Sequence, residues 1–79
     1  MKLRTLEERK QELVKLLREE NAILKAHPTL YKSTVDNVEH AIATNESIIA
    51  KVDDLSEYNL DTYLVITHRI KEDYDREIG

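Results

Sequence analysis

Residues 62–70, TYLVITHRI, carry the strongest β-strand signal in this 79-residue chain. Threonine, tyrosine, valine and isoleucine dominate the stretch, and these residue types favour the pleated surface of a sheet. A strand here would have no partner, because no other part of the sequence has the pattern of a strand, and a lone strand leaves its backbone N–H and C=O groups unpaired. We therefore interpret the stretch as part of a helix and predict an all-α fold.

The stretch fits a third helix that begins at about residue 61 and ends near residue 78. Its apolar positions then recur every three or four residues and form one face, whereas Val65 points away from that face. Asp54, Ser56 and Asp61 are all candidate N-caps for this helix, since each has a short polar side chain. The predicted face consists of Leu60, Tyr63, Leu64, Thr67, Ile70, Tyr74 and Ile78.

A first helix is predicted over residues 5–26. Thr5 and Glu8 have the spacing of a capping box, which marks the start of a helix. The end is set by Pro28, because the residue before a proline is pushed out of the α region. Glu20 interrupts the apolar stripe close to its centre. The stripe consists of Leu3, Leu6, Leu13, Val14, Leu16, Leu17, Ile23 and Leu24.

A second helix is predicted over residues 29–53, with a start at Thr29 or at Ser33. Its apolar residues alternate spacings of four and three, which is the a/d pattern of a coiled coil. One position of this seam is polar, Asn45, and an asparagine there can fix the register or the oligomeric state. The alternative is that Asn45 hydrogen-bonds a neighbouring polar group such as Glu20. The seam consists of Tyr31, Val35, Val38, Ile42, Asn45, Ile49 and Val52.

Three helices of similar length joined by short connections predict a small antiparallel three-helix bundle. A single domain over residues 1–79 accommodates it, because a chain this short has room for one small core. The alternative architecture is a helical hairpin that associates with further copies into an oligomeric bundle, which would make the protein a homo-oligomer.

Composition excludes several classes of protein. The chain has no cysteine, so disulfides and thiolate metal sites are ruled out, and its single glycine is Gly79. Charged residues interrupt every apolar run before it reaches the length of a membrane span or a signal peptide. We expect a cytoplasmic protein that neither crosses nor binds a membrane.

The search for catalytic and metal-binding patterns also gives little. Each of two histidines, His40 and His68, has a carboxylate four residues away, but two ligands fall short of a zinc site. No serine lies in a nucleophile motif. In the first helix the basic residues are interleaved with glutamates, so no positive stripe suits nucleic acid. We expect no enzyme, no cofactor, no metal site and no direct contact with nucleic acid.

Charge is distributed unevenly along the chain. Residues 1–28 hold seven basic and five acidic residues, a net charge of +2, whereas residues 29–79 hold five basic and eleven acidic residues, a net charge of −6. One interpretation is that the basic first helix pairs with acidic neighbours in the same bundle. The other is an acidic surface directed at a partner protein with a basic surface.

These observations favour a non-catalytic protein–protein interaction module, such as an adaptor, a regulator or an assembly factor. The alternative is a small inhibitor, of the kind that phages and mobile elements encode, which blocks a nucleic-acid-processing enzyme by mimicking phosphates with its carboxylates. The predicted partner-binding residues are Asp53, Asp54, Glu57, Asp61, Val65 and His68. Asn45 and Glu20 are predicted to specify register or oligomeric state.

Overall fold

The computed structural model describes residues 5–79, which form three α-helices and two short 3₁₀ turns. The helices are α1 (Leu6–Ala26), α2 (Val38–Ala50) and α3 (Glu57–Ile78). The turns, Pro28–Leu30 and Val52–Asp54, follow α1 and α2. The predicted all-α fold is confirmed, and residues 62–70 lie within α3.

Helix α1 begins and ends as the sequence predicts. Thr5 Oγ1 accepts a hydrogen bond from the backbone N–H of Glu8 at 3.1 Å, and the Glu8 carboxylate accepts one from the N–H of Thr5 at 3.4 Å. This reciprocal pair is a capping box. The helix ends at Ala26, two residues before Pro28. Leu3, which the sequence places on the apolar stripe, lies outside the described residues.

Helix α2 is much shorter than the predicted helix over residues 29–53. It begins at Val38, and its N-cap is Asn37, whose side chain accepts a hydrogen bond from the N–H of His40 at 2.9 Å. The predicted starts at Thr29 and Ser33 are therefore wrong. Ser33 Oγ instead accepts hydrogen bonds from the backbone N–H groups of residues 35 and 36 and closes a local turn.

The first part of the predicted seam is lost with the shorter helix. Tyr31 and Val35 precede α2, and Val35 is 91% exposed. The remaining seam positions from Val38 to Ile49 are within α2, and Val52 lies in the turn that follows it. Helical spacing alone makes the predicted seam too long at its start, because Tyr31 and Val35 continue the spacing by chance although they lie in the connection before α2.

Helix α3 begins earlier than the predicted residue 61. Its N-cap is Ser56, one of the three candidates, whose hydroxyl accepts a hydrogen bond from the N–H of Asn59 at 3.2 Å. Glu57 occupies the first turn, where a carboxylate interacts favourably with the positive end of the helix dipole. Asp61 therefore lies one turn inside the helix, where its side chain accepts a hydrogen bond from Arg9 of α1 and does not cap the helix.

The helices run up, down and up. The Nη1 atom of Arg9 lies 2.8 Å from Asp61 near the starts of α1 and α3, and Lys71 Nζ lies 3.3 Å from Glu19 further along both helices. Helices α1 and α3 are therefore parallel to each other. Helix α2 is antiparallel to both, and α1 is in more extensive contact with α2 and with α3 than those two are with each other. Of the two predicted architectures, the three-helix bundle is the one observed.

The core is made mainly by leucines of α1 and α3. Partly buried residues of α2 and of the turn after it complete the cluster, among them Ile48, Ile49 and Val52. None of the helices within residues 5–79 combines the length and the apolarity that crossing a membrane requires. The fully packed cluster consists of Leu13, Leu16, Leu17, Leu60 and Leu64.

Candidate functional site

The predicted acidic residues lie around the start of α3, where α1 supplies cations. Arg9 Nη1 donates a hydrogen bond to Asp61 Oδ1 at 2.8 Å, and its Nη2 lies 3.6 Å from Glu57 Oε1. The hydrogen bond with Asp61 raises the pKa of Arg9. Lys10 Nζ lies 3.6 Å from Asp53 Oδ1. The expectation that the basic first helix pairs with acidic neighbours of the same bundle is confirmed.

Only part of the acidic cluster is thereby neutralised. Glu57 and Asp61 share the single guanidinium of Arg9, so this group of three charges is net negative. Asp54 is exposed and has no ion pair within residues 5–79. The start of α3 therefore keeps a modest excess of negative charge.

One face of α3 exposes large apolar side chains. Tyr58 is 79% exposed, Val65 is 60% exposed and Ile66 is 48% exposed. Together with Asp61 and Thr62 they line a shallow hollow of about 350 Å³. We call these five residues the α3 patch. Val65 and Ile66 lie seven and eight residues after Tyr58, which places the apolar members on one side of the helix, and the expectation that Val65 faces away from the core is confirmed.

The structure separates the other predicted partner-binding residues. His68 lies at the side of α3 that faces α1, where its Nε2 is 3.5 Å from Glu12 Oε1. Asp53 and Asp54 are in the 3₁₀ turn before α3. Val65 and Asp61 are thus the two predicted residues that the fold brings into the α3 patch. The sequence also offers Tyr58 as an exposed apolar anchor beside Val65, whereas Thr62 and Ile66 were missed, although both follow Tyr58 at i+4 and i+8 spacing.

A second polar group is buried between α1 and α2. Asn45 donates hydrogen bonds from Nδ2 to the Glu20 carboxylate and to Asn21 Oδ1, the latter at 2.9 Å. Glu20 is 6% exposed and Asn45 is 9% exposed. The interpretation that Asn45 bonds Glu20 is confirmed. Both bonds join α2 to α1.

Burial dominates the electrostatics of this group. Desolvation raises the pKa of Glu20, and the hydrogen bond from Asn45 opposes that shift. Burial also raises the pKa of Tyr74 on α3, and the nearby charge of Glu20 raises it further. A buried carboxylate without a cationic partner is uncommon, because the charged form loses its hydration.

Glu20 also lines a cavity of about 330 Å³ between the three helices and the connection before α2. Tyr31 closes one side, and its hydroxyl donates a hydrogen bond to Asp36 Oδ1 at 2.7 Å. His40 Nε2 lies 4.0 Å from the other oxygen of Asp36. The sequence does not indicate this cavity, because its periodicity places Tyr31 in the seam of a longer helix. The sequence shows only that Glu20 and Asn45 are polar residues at positions where the helical pattern is otherwise apolar.

A larger hollow of about 630 Å³ follows the outward side of α1. Its charged lining residues are three cations and three acids, so it offers no preference for a ligand of either sign. Its apolar lining residues include Val14, Ala22 and Val52. The charged ones are Lys10, Lys15, Arg18, Glu7, Glu19 and Asp53.

Within residues 5–79, no group of three or more histidine, aspartate and glutamate side chains is arranged to hold a metal ion. Comparisons with protein-family models, with curated proteins and with solved structures found no match to this chain. Function has to be inferred from its own surfaces, chiefly the α3 patch and the cavity beside Glu20.

Proposed function

We propose that this chain is a non-catalytic protein-interaction module of the cytoplasm, and that the α3 patch is its binding surface. The observation that carries the proposal is the exposure of three large apolar side chains, Tyr58, Val65 and Ile66, on one face of one helix. Single exposed apolar residues are common, but a contiguous group marks an interaction surface. Tyrosine is also enriched among the residues that dominate binding energy.

The charge next to the patch indicates the chemistry of the partner. Glu57 and Asp61 adjoin Tyr58 and share one guanidinium, which leaves a net negative charge at that end of the patch. A partner that places an apolar side chain against Val65 and a lysine or arginine near Glu57 would match both features. Such complementary charges mainly speed association and select the partner, while the apolar contact supplies affinity.

The arrangement of the titratable groups supports a non-catalytic role. The histidines His40 and His68 each lie beside one carboxylate, at 4.0 Å and 3.5 Å. Ser33 and Ser56 accept hydrogen bonds from backbone N–H groups as turn and cap residues. Nucleophilic catalysis would require a hydroxyl paired with an oriented base.

The alternative function, phosphate mimicry against a nucleic-acid-processing enzyme, would use the acidic cluster at the start of α3. Three of its four carboxylates lie beside cations of α1: Asp53 beside Lys10, and Glu57 and Asp61 beside Arg9. Phosphate mimicry depends on carboxylates whose charge is available to the target. This pairing supports the apolar patch, rather than the acidic cluster, as the main binding determinant.

Two valines provide a matched test. Val65 is in the α3 patch, and Val35 is an even more exposed valine in the connection before α2. Immobilised wild type, Val65→Asp and Val35→Asp would be compared for retention of binding proteins, which are identified and then measured individually by calorimetry. We expect the partner to bind wild type and Val35→Asp alike and to be lost by Val65→Asp.

The same variants separate a partner protein from self-association. Size-exclusion chromatography with light scattering would show a dimer of wild type that Val65→Asp dissociates if a second copy covers the patch. Equal binding of every partner, and an equal molar mass, for Val65→Asp and Val35→Asp would reject the α3 patch as the binding surface.

A further inference from the structure

The cavity beside Glu20 shares no residue with the α3 patch, and its side chains are organised for a different ligand. Glu20 is 6% exposed, and one of its oxygens accepts the hydrogen bond from Asn45. Its other oxygen, Oε1, accepts no hydrogen bond within residues 5–79 and is not fully enclosed. Because Glu20 lines the cavity, this largely buried side chain leaves one carboxylate oxygen accessible from the cavity.

The remaining lining residues supply a second carboxylate, apolar side chains and several polar groups, among them Thr44 and Tyr74. Asp36 lines the same cavity, and one of its oxygens is held by the Tyr31 hydroxyl at 2.7 Å. Leu24 and Ile70 contribute apolar surface from α1 and α3. Within the described part of the chain no lysine or arginine lines this cavity, and the single lining group there that can become a cation is His40.

We propose that this cavity binds the ammonium group of an alkylamine, either as a free amine or at the end of a lysine side chain. A primary ammonium has three N–H donors and no acceptor, so it complements carboxylate and carbonyl oxygens that lack donors. Its alkyl chain would contact Leu24 and Ile70. The volume of about 330 Å³ lies at the small end of the range for ligand pockets, which suits a short chain rather than a nucleotide or a lipid.

The titration of the surrounding groups agrees with a cation-binding site. Burial raises the pKa of Glu20, and burial followed by the charge of Glu20 raises that of Tyr74. The hydrogen bond to Asp36 raises the pKa of Tyr31, with burial and the charges of Asp36 and Glu20 adding to the effect. The shifts of Glu20 and Tyr74 are those of groups in a poorly hydrated environment, whereas hydrogen bonds from Ser33 and Tyr31 lower the pKa of Asp36 and keep that carboxylate charged.

A calcium ion is a poorer fit to the same residues. Calcium takes about six to eight oxygen ligands, whereas the lining supplies two carboxylates, and no group of three or more acidic or histidine side chains within residues 5–79 is arranged to hold a metal ion. Ammonium is satisfied by fewer acceptors and uses the apolar walls. The geometry therefore favours an organic cation over an inorganic one.

The test is an NMR titration of the full chain, with ¹⁵N labelling, at neutral pH and constant ionic strength. Cadaverine is the free-amine probe, Nα-acetyl-lysine methylamide represents a lysine side chain, and 1,5-pentanediol is a neutral molecule of similar size. We expect saturable shifts of backbone amides around residues 20, 36, 45 and 74 with at least one amine, and none with the diol. The amine that binds more tightly identifies the source of the ammonium group.

Two variants with the same change in net charge complete the test. Glu20→Gln keeps the size of the side chain and an oxygen for Asn45, while Glu72→Gln removes an exposed carboxylate of α3. We expect Glu20→Gln to weaken amine binding by about tenfold or more and Glu72→Gln to change it by less than about twofold. Asp36→Asn serves in place of Glu20→Gln if circular dichroism shows that the latter is unfolded. Non-saturating shifts, binding of the diol, or equal affinities for the Glu20 and Glu72 variants would overturn the proposal.

Discussion

Asn45 of α2 donates a hydrogen bond to the carboxylate of Glu20 on α1, and both side chains are buried. Among the described residues, Glu20 has no ion pair, and the amide of Asn45 is the one group that donates a hydrogen bond to its carboxylate. The bond ties two neighbouring helices at a defined position, because a shift of α2 along α1 would leave both groups buried and unpaired.

Replacing Asn45 with leucine should therefore destabilise the fold even though leucine is more apolar. The variant would leave the Glu20 carboxylate and Asn21 Oδ1 without their donor, at a cost of about 1–3 kcal/mol. Urea unfolding followed by circular dichroism measures the change. Ser47→Leu, which also replaces a polar side chain but at an exposed position of the same helix, is the control. Equal midpoints for the two leucine variants would show that the buried hydrogen bonds contribute little.

Removing the charge of Glu20 should stabilise the protein in a pH-dependent way. Burial raises the pKa of Glu20 above its value in the unfolded chain. Between the two pKa values the folded state binds more protons than the unfolded state, so the contribution of Glu20 to stability falls as the pH rises through that interval. Glu20→Gln, which cannot titrate, should thus gain stability over wild type as the pH rises, and the gain should level off above the raised pKa.

Urea unfolding at a series of pH values from acid to neutral tests this. Asp36 titrates in the opposite sense, because hydrogen bonds from Ser33 and Tyr31 lower its pKa, but it is present in both proteins and cancels in the difference. Glu72→Gln again serves as the control for removal of one carboxylate. A difference between Glu20→Gln and wild type that is constant over the whole pH range would contradict the assigned shift.

Leu60 should be among the most sensitive core positions. It is fully buried on α3 and packs with Leu13 and Leu17 of α1. Leu60→Ala would lose apolar burial and leave a cavity, which costs about 2–5 kcal/mol. In a domain of this size that is a large part of the total stability. Thermal unfolding of Leu60→Ala beside Leu6→Ala, whose parent side chain is partly exposed, should show a much larger loss for Leu60; similar losses would argue against this packing.

Most of the fold could be predicted from periodicity and capping. Thr5 and Glu8 define the start of α1 because a capping box needs only local contacts, and Pro28 limits its end for a local steric reason. Residues 62–70 are helical although their intrinsic preference is weak. Burial of Leu64 and Thr67 against α1 provides the stabilisation that their propensity does not.

The candidate site could be predicted only in part. Asn45 and Glu20 were visible because polar residues broke two apolar patterns. The cavity was not, since it depends on Tyr31 and Asp36 being in an irregular connection rather than in a helix. Likewise the pairing of Arg9 with Asp61, 52 residues further along the chain, depends on the packing of α1 on α3, which no local pattern encodes.

Arg9 offers a test of how the acidic cluster is used. Arg9 bridges the carboxylates of Glu57 and Asp61, which lie on adjacent turns of α3. Arg9→Met should keep most of the apolar contacts of the side-chain stem. It would leave the two carboxylates unpaired, so that they repel each other. We expect a lower melting temperature than that of wild type, and the difference should shrink as sodium chloride screens the repulsion. Arg69→Met, at an exposed position of α3 with no ion pair among residues 5–79, is the control. A loss that is equal in the two variants or independent of salt would argue against the bridge.

The start of α2 can be tested with two polar residues that both resemble N-caps in the sequence. Asn37 accepts a hydrogen bond from the N–H of His40 at the observed start, whereas Ser33 accepts its hydrogen bonds in a turn before the helix. Asn37→Ala should cost about 1 kcal/mol, the usual effect of losing a cap.

Ser33→Ala should cost less than Asn37→Ala, because its turn is exposed and not continued by a helix. Urea unfolding gives the change in stability of both variants, and amide hydrogen exchange at residues 38–41 shows whether the first turn of α2 frays. We expect faster exchange there in Asn37→Ala alone. Two results would instead place the start of α2 at Ser33: a larger loss of stability in Ser33→Ala than in Asn37→Ala, or faster amide exchange at residues 34–37 in Ser33→Ala. In that case Tyr31 and Asp36 would not form the described cavity with Glu20.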